Sequence, residues 1–223
     1  MLPAKLRSPL KWLMWIIVLQ LLLGNISAAL YAYRLTHFKA EAAEWNIAEA
    51  NNVFDKTWML FTGPQYARDT VENHPVFPVR DVTFKTAKGL LIHAWYSTVA
   101  GARGTVCLFH GLNSNKAYYE PEAAAFRSYG FNVLMVDFRA HGISEGMQST
   151  IGYDEAEEVM LAFRFARNQG AGLVFLFGGS MGAVTIARAV SHYRLNPDGI
   201  ILDMPFDGLV DHVRARGGTF GFP

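Results

Sequence analysis

The chain has 223 residues, a formal net charge of +1, and 51% hydrophobic against 17% charged residues. That gives room for one domain of ordinary size with an appendage, and the charge balance excludes a basic nucleic-acid-binding face. A single cysteine, Cys107, excludes an intrachain disulfide and a cysteine-based zinc cluster.

The apolar excess is concentrated at the start. Trp12 to Tyr33 is 22 residues without a charge, long enough to cross a bilayer as a helix. Lys5, Arg7 and Lys11 precede it, and Arg34 and Lys39 follow, with His37 between them. The lysine/arginine excess on the N-terminal side predicts a cytoplasmic N-terminus, with the rest of the chain on the other side of the membrane. The rival is a cleaved signal peptide, with Trp12 to Leu23 as its apolar part and Ser27-Ala28-Ala29 as the cleavage site; the protein would then be secreted. A buried core helix is a third reading, and the basic flank argues against it. The first 39 residues hold five Lys/Arg and no acid, whereas the remaining 184 hold 15 Lys/Arg and 19 Asp/Glu. A basic membrane-proximal tail thus precedes a mildly acidic domain. Expected boundaries are 1–39 for tail and anchor, 40–75 for a juxtamembrane helix and linker, and 76–223 for the globular domain.

Ala40 to Phe61 reads as a helix ended by Gly63-Pro64. Gln65 to Pro78 is turn-rich and reads as a linker. Val79–Thr86 and Leu90–Ser97 form a hairpin around Ala87-Lys88-Gly89. Gly104–His110 is a nearly continuous apolar run, the mark of a buried strand, and Cys107 within it is a small core residue. Tyr118–Ser128 is helical and stops at Gly130. Phe131–Phe138 is a second buried strand. Asp154–Gln169 is a helix with acids crowding its first turn, as the dipole favours. Leu173–Phe177 is a strand, Met181–Tyr193 a helix and Gly199–Met204 the last strand. Strands alternating with helices describe an α/β doubly wound, mostly parallel sheet.

Active sites of such sheets gather at the carboxyl ends of the strands, and three motifs fall there. They are Phe109-His110-Gly111-Leu112-Asn113, the run Asp137 to Gly146 (DFRAHGISEG), and Gly178-Gly179-Ser180-Met181-Gly182. The third is Gly-x-Ser-x-Gly between a strand and a helix, which places a serine hydroxyl on a strained turn as a nucleophile. The glycines leave room for the turn, and the helix N-terminus favours a developing oxyanion. The backbone N–H of Met181 is one oxyanion donor, and the loop after His110-Gly111 supplies the second through Leu112.

Together these motifs resemble the α/β-hydrolase superfamily, in particular its serine aminopeptidase-like and monoglyceride lipase-like branches. Gly199-Ile-Ile-Leu-Asp-Met-Pro-Phe206 is similar to the sixth strand of those proteins, and the likeness spans about Val76 to Asp207. It implies Ser180 as nucleophile, with the N–H groups of Leu112 and Met181 as the oxyanion hole. A serine hydrolase of this kind would cleave a small-molecule acyl ester, thioester or amide, and anchoring near a bilayer adds lipid-like acyl substrates; no cofactor is expected, and the sequence has no His-Glu-x-x-His or clustered His/Asp set for a metal. In such a protein His110 is a loop residue, Arg139 and His141 brace the loop after the fourth strand, Asp137 fixes that loop, and Asn113 and Ser114 cap turns.

The triad order in this fold is serine, acid, histidine. The family carries its acid after the seventh strand and its histidine after the eighth, and the last strand read here is the sixth. Strands 7 and 8 are therefore expected to be absent and the chain to be truncated. Two histidines follow Ser180. His192 lies 12 residues along the next helix, roughly 18 Å away, too far to be its base. Asp203 with His212 is a formally possible pair, since some relatives carry the acid after the sixth strand; the simpler expectation places acid and histidine in a missing C-terminal part. Without a base a serine is a poor nucleophile, so the truncated chain is expected to be inactive. A membrane-anchored hydrolase scaffold that binds without catalysing is the alternative.

Overall fold

The computed structural model of the chain describes residues 4–39, 52–63, 65–70, 75–170 and 172–210. It divides into two compact units, Met1–Ala67 and Arg68–Pro223. Residues 40–51 of the expected juxtamembrane helix lie outside the described residues, as does His212.

In the first unit, α1 runs over Ala4–Thr36. Its apolar part from Pro9 to Thr36 is long enough to cross a bilayer, and it is unburied within the protein. A signal sequence meets the same criterion. The second helix, α2 (Val53–Thr62), begins where Asn52 Oδ1 accepts the Asp55 N–H at 2.8 Å, an ordinary N-cap. Ser27 donates to the Phe61 carbonyl at 2.5 Å and Arg34 to the Gly63 carbonyl at 2.8 Å, so polar side chains of α1 satisfy carbonyls at the end of α2.

The second unit is built on a six-stranded sheet of order β1-β2-β4-β3-β5-β6. The strands are β1 (Arg80–Lys85), β2 (Leu91–Ser97), β3 (Gly104–Phe109), β4 (Asn132–Val136), β5 (Leu173–Gly179) and β6 (Gly199–Asp203). The β1–β2 and β2–β4 pairs are antiparallel; β4–β3, β3–β5 and β5–β6 are parallel. Every residue of β3 and β4 is buried, which is why both read as unbroken apolar runs. On one face α4 (Ala156–Asn168) and α5 (Met181–Tyr193) cover a core that includes Phe109, Leu134, Val159, Leu176 and Ile186. On the other, α3 (Glu120–Ser128) covers Trp95, Val106, Leu108, Tyr119 and Met135. Each fully buried side chain of this size contributes about 1.5–3 kcal/mol. The last strand differs: Ile200 and Ile201, on opposite faces of β6, are 46% and 45% exposed.

Two helix starts depart from the expected positions for physical reasons. Asn115 Oδ1 accepts the Ala117 N–H, and Lys116–Tyr119 winds as a tight 3₁₀ turn. Pro121, in the first turn of the α-helix that follows, lacks an N–H and suits that position. Farther on, Glu155 precedes α4 but does not cap it. Its buried carboxylate accepts from Ser149 Oγ, Thr150 N–H, Thr150 Oγ1 and Gly152 N–H at 2.7–2.9 Å. This carboxylate holds the loop 149–152, in which Ile151 and Gly152 both adopt positive φ.

Four donors therefore depend on one side chain. Glu155→Leu is expected to cost roughly 3–5 kcal/mol, since buried donors left unpaired cost 1–3 kcal/mol each and some relax to other partners. Glu155→Gln, which keeps an acceptor oxygen, is expected to recover part of this in urea unfolding followed by tryptophan fluorescence.

Candidate active site

Ser180 joins β5 to α5 with φ 49° and ψ −115°. A non-glycine residue there is strained by about 1–3 kcal/mol, and the surroundings enforce it. The Ser180 N–H donates to the Asp203 carbonyl of β6 at 2.9 Å, and its own carbonyl accepts from Ala183 and Val184 to start the helix. A side chain on Gly182 would stand 2.2 Å from the Phe109 carbonyl oxygen, and one on Gly178 would stand 2.7 Å from the Gly182 backbone. The glycines thus let α5 press directly onto the ends of β3 and β5. Gly179 is required by a different neighbour: its Cβ would fall 1.8 Å from the Tyr119 hydroxyl. Ser180 is half-buried, and among the described residues its hydroxyl has no hydrogen-bond partner.

The loop after β3 passes over this serine. A Cβ on Gly111 would be 3.6 Å from Ser180 Cβ, so the backbone leading into Leu112 lies against Ser180. Leu112 follows, half-buried, with its side chain packed on the core. Across from it, Met181 opens α5, where the first N–H groups have no intrahelical acceptor. The Met181 side chain is fully buried and its sulfur lies 3.6 Å from Ser149 Oγ.

His110 and His141 exchange support between two loops. His110, at the end of β3, accepts the Phe138 N–H at Nε2 (3.1 Å) and lies 2.6 Å from the Gly111 carbonyl at Nδ1. His141, after β4, accepts the Asn113 N–H at Nε2 (3.1 Å) and lies 2.8 Å from the Arg139 carbonyl at Nδ1. An Nε2 that accepts and an Nδ1 beside a carbonyl define the neutral Nδ1–H tautomer for both rings. Burial pushes His110 down to about 4, with Lys116 adding to the shift, and His141 to about 3, with His110 adding. Both nitrogens of each ring are spoken for, so neither serves Ser180 as a base. His192 lies in the last turn of α5.

Buried charge ties the same loops together. The fully buried Asp137 carboxylate accepts the Lys116 N–H at 2.6 Å, Lys116 Nζ at 2.5 Å and the Ile143 N–H at 3.2 Å. Gly142 has no side chain to collide with it. Arg139 donates from its backbone and from Nε to the buried Glu158 at 2.9 and 2.5 Å, and reaches Asp154 and Glu157 with its terminal nitrogens. Burial raises the Glu158 carboxyl while Arg139 opposes that rise. Arg68 donates to the carbonyls of Ser144 and Gly146, and Asp69 accepts from Asn115. Sequence reasoning missed Lys116, Tyr119, Glu155, Glu158 and the Arg68–Asp69 strap. These residues sit in polar stretches of the sequence, where nothing marks a buried partner. Asp203 ends β6 with an exposed side chain, and after burial its charge is the next contributor that raises Tyr119 to about 12. Among the described residues no group of His, Cys, Asp and Glu is arranged to hold a metal ion.

Two outcomes follow from this packing. Gly179→Ala is expected to destabilise the fold through the Tyr119 hydroxyl, and Tyr119→Phe in the same chain is expected to restore much of the loss in thermal unfolding. For pH, both histidines are held well below their ordinary 6.5 in the folded state, so the unfolded chain takes up protons that the folded one refuses. The stability they contribute is complete above pH 6.5 and is lost as pH falls from there toward about 4. Each ring contributes a slope of about 1.4 kcal/mol per pH unit inside that window. His141→Gln is expected to flatten the denaturation midpoint between pH 6.5 and 5; an unchanged slope would remove His141 from this account.

Comparison with known proteins agrees with this geometry. The family model described as serine aminopeptidase, S33 (Hydrolase_4) matches residues 100–215, more than half of the chain. The uncharacterised protein YqkD of Bacillus subtilis is 30% identical over 148 residues, which cover 62% of this chain and 48% of that protein. The α/β-hydrolase domain-containing protein WAV2 of Arabidopsis thaliana is 25% identical over 153 residues, covering 63% and 49%. The chain thus spans about half the length of these curated relatives. Among solved structures, the Pyrococcus furiosus esterase Pf2001 superposes with a TM-score of 0.62 at 26% identity, covering 71% of this chain and 66% of that one. Strand order, the three strand-end motifs and the family match converge: the chain belongs to the serine aminopeptidase S33 family of the α/β-hydrolase superfamily.

Proposed function

We propose that the protein is a membrane-anchored serine hydrolase that cleaves an acyl ester, thioester or amide through an acyl-enzyme on Ser180. The observation that carries this reading is the serine itself. It is held at φ 49° between β5 and α5, with an unpartnered hydroxyl and with the backbone of Gly111 against its Cβ. In the reaction Ser180 Oγ attacks the acyl carbonyl and gives its proton to a base. The negative charge that develops on the carbonyl oxygen is taken up by the N–H groups of Met181 and Leu112, and the leaving group departs with the base's proton. Water then attacks the acyl-enzyme by the reverse proton route and frees Ser180.

His110 and His141 are committed to backbone partners and are not taken as the base. The base is either His212, with Asp203 as its acid, or a histidine further along the reading frame; the greater length of the relatives supports the latter. The apolar helix supports anchoring and a lipid-like acyl substrate at the bilayer, and the lysine/arginine count at its ends supports a non-cytoplasmic domain. The absence of an imidazole bonded to Ser180 among the described residues favours a second reading, a hydrolase-like scaffold that binds without catalysing.

The two readings separate in one experiment. The protein expressed from its native reading frame is expected to be labelled by a fluorophosphonate and to hydrolyse short-chain p-nitrophenyl esters, and Ser180→Ala is expected to abolish both. His212→Ala assigns the base: lost activity selects the Asp203–His212 pair. A folded protein that neither reacts nor hydrolyses leaves the scaffold reading standing.

A further inference from the structure

The loop that carries the Leu112 N–H is fixed at three points. Gly111 abuts Ser180, the Asn113 N–H donates to His141, and Lys116 is bound through both its backbone and its side chain to Asp137. The third point is unusual. Lys116 is 4% exposed, its ammonium lies 2.5 Å from a fully buried carboxylate, and the same Nζ stands 4.6 Å from the Trp95 ring centroid. Burying two charges costs several kcal/mol per ion, and an apolar pair of similar volume is often as stable or more so. Stability alone therefore gives little reason for a lysine here.

Geometry gives a better one. Asp137 gathers the Lys116 N–H, the Lys116 ammonium and the Ile143 N–H, so one carboxylate joins the loop after β3 to the loop after β4. The ammonium neutralises that carboxylate four residues from Leu112. Without it, an uncompensated buried negative charge would stand beside the loop that must accept another in the transition state.

We propose that Lys116 is a positioning residue for the oxyanion hole: clamped between Asp137 and Trp95, it fixes the loop that presents the Leu112 N–H and so governs turnover rather than substrate binding. This rests on the serine-hydrolase reading. Lys116 reaches no substrate itself; it acts through the loop.

The test uses the full protein with a p-nitrophenyl butyrate assay, fluorophosphonate titration of the folded fraction and thermal unfolding. Lys116→Met is expected to lower kcat per titrated site by about tenfold or more, less than the loss of a whole oxyanion donor, with KM within about threefold. Lys116→Arg, which keeps the charge and suits an aromatic ring, is expected to recover most of that kcat. Should Lys116→Met fail to fold, Asp137→Asn serves instead, because it retains an acceptor for the Lys116 N–H while breaking the charge pair. It is expected to show the same fall in kcat at near-constant KM. Wild-type kcat in either folded variant, or a loss of activity that only follows the folded fraction, overturns the clamp. An unsubstituted protein that does not react with the fluorophosphonate overturns the hydrolase reading and this one together.

Discussion

The backbone of Ser180 is the constraint from which the rest of the site follows. Holding a serine at φ 49° costs about 1–3 kcal/mol, and the packing and hydrogen bonds on either side hold it there. The strand before it is paired on both sides, to β3 and to β6. The helix after it presses so closely on β3 that Gly182 leaves no space for even a methyl group. The peptide N–H of the serine is held by the Asp203 carbonyl. Strain at one residue is thus supported by a sheet and a helix that together bury a large apolar core. The same close approach brings the loop after β3 against Ser180, so one piece of packing sets both the serine turn and its cover.

Around that point, charge substitutes for hydrophobic contact. Asp137, Glu155 and Glu158 are all fully buried, and each carries several donors. Their partners are mostly loop N–H groups, which have no strand to pair with and could not be buried otherwise. Each carboxylate therefore works as a local template: Glu155 for loop 149–152, Asp137 for the two loops beside Ser180, and Glu158 for Arg139. Histidine serves the same end without charge, since a neutral ring offers one acceptor and one donor to backbone groups on different loops.

The unequal legibility of fold and site has the same origin. β3 and β4 could be read from sequence because burial on both faces writes an unbroken apolar run. The serine turn could be read because steric demand writes glycines at fixed offsets. Both signals are local. The roles of Lys116 and Glu155 are not, since a charged residue in a polar stretch looks alike whether it caps a helix, faces solvent or meets a counter-ion 21 residues away, as Lys116 does. Gly179 illustrates the limit: it belongs to the motif, yet the reason for its being glycine is a tyrosine hydroxyl from another loop. The histidines show it as well, because His110 and His141 carry the residue type of a base and only their partners reveal otherwise. The start of α3 was misjudged for a local reason, the competition between the Asn115 cap and Pro121.

The short strap at Arg68 and Asp69 changes what counts as the beginning of the second unit. The first strand starts at Arg80, and hydrophobic patterning alone would set the boundary near there. Yet Arg68 holds the carbonyls of Ser144 and Gly146, and Asp69 holds Asn115, the cap beside Lys116. Residues that look like spacer are thus bonded to both loops flanking Ser180. A fragment trimmed to the sheet would keep every strand and every motif but lose this brace. The stretch that reads as linker is thus part of the second unit's framework, and a fragment begun at the first strand lacks the bonds that hold the two loops beside Ser180.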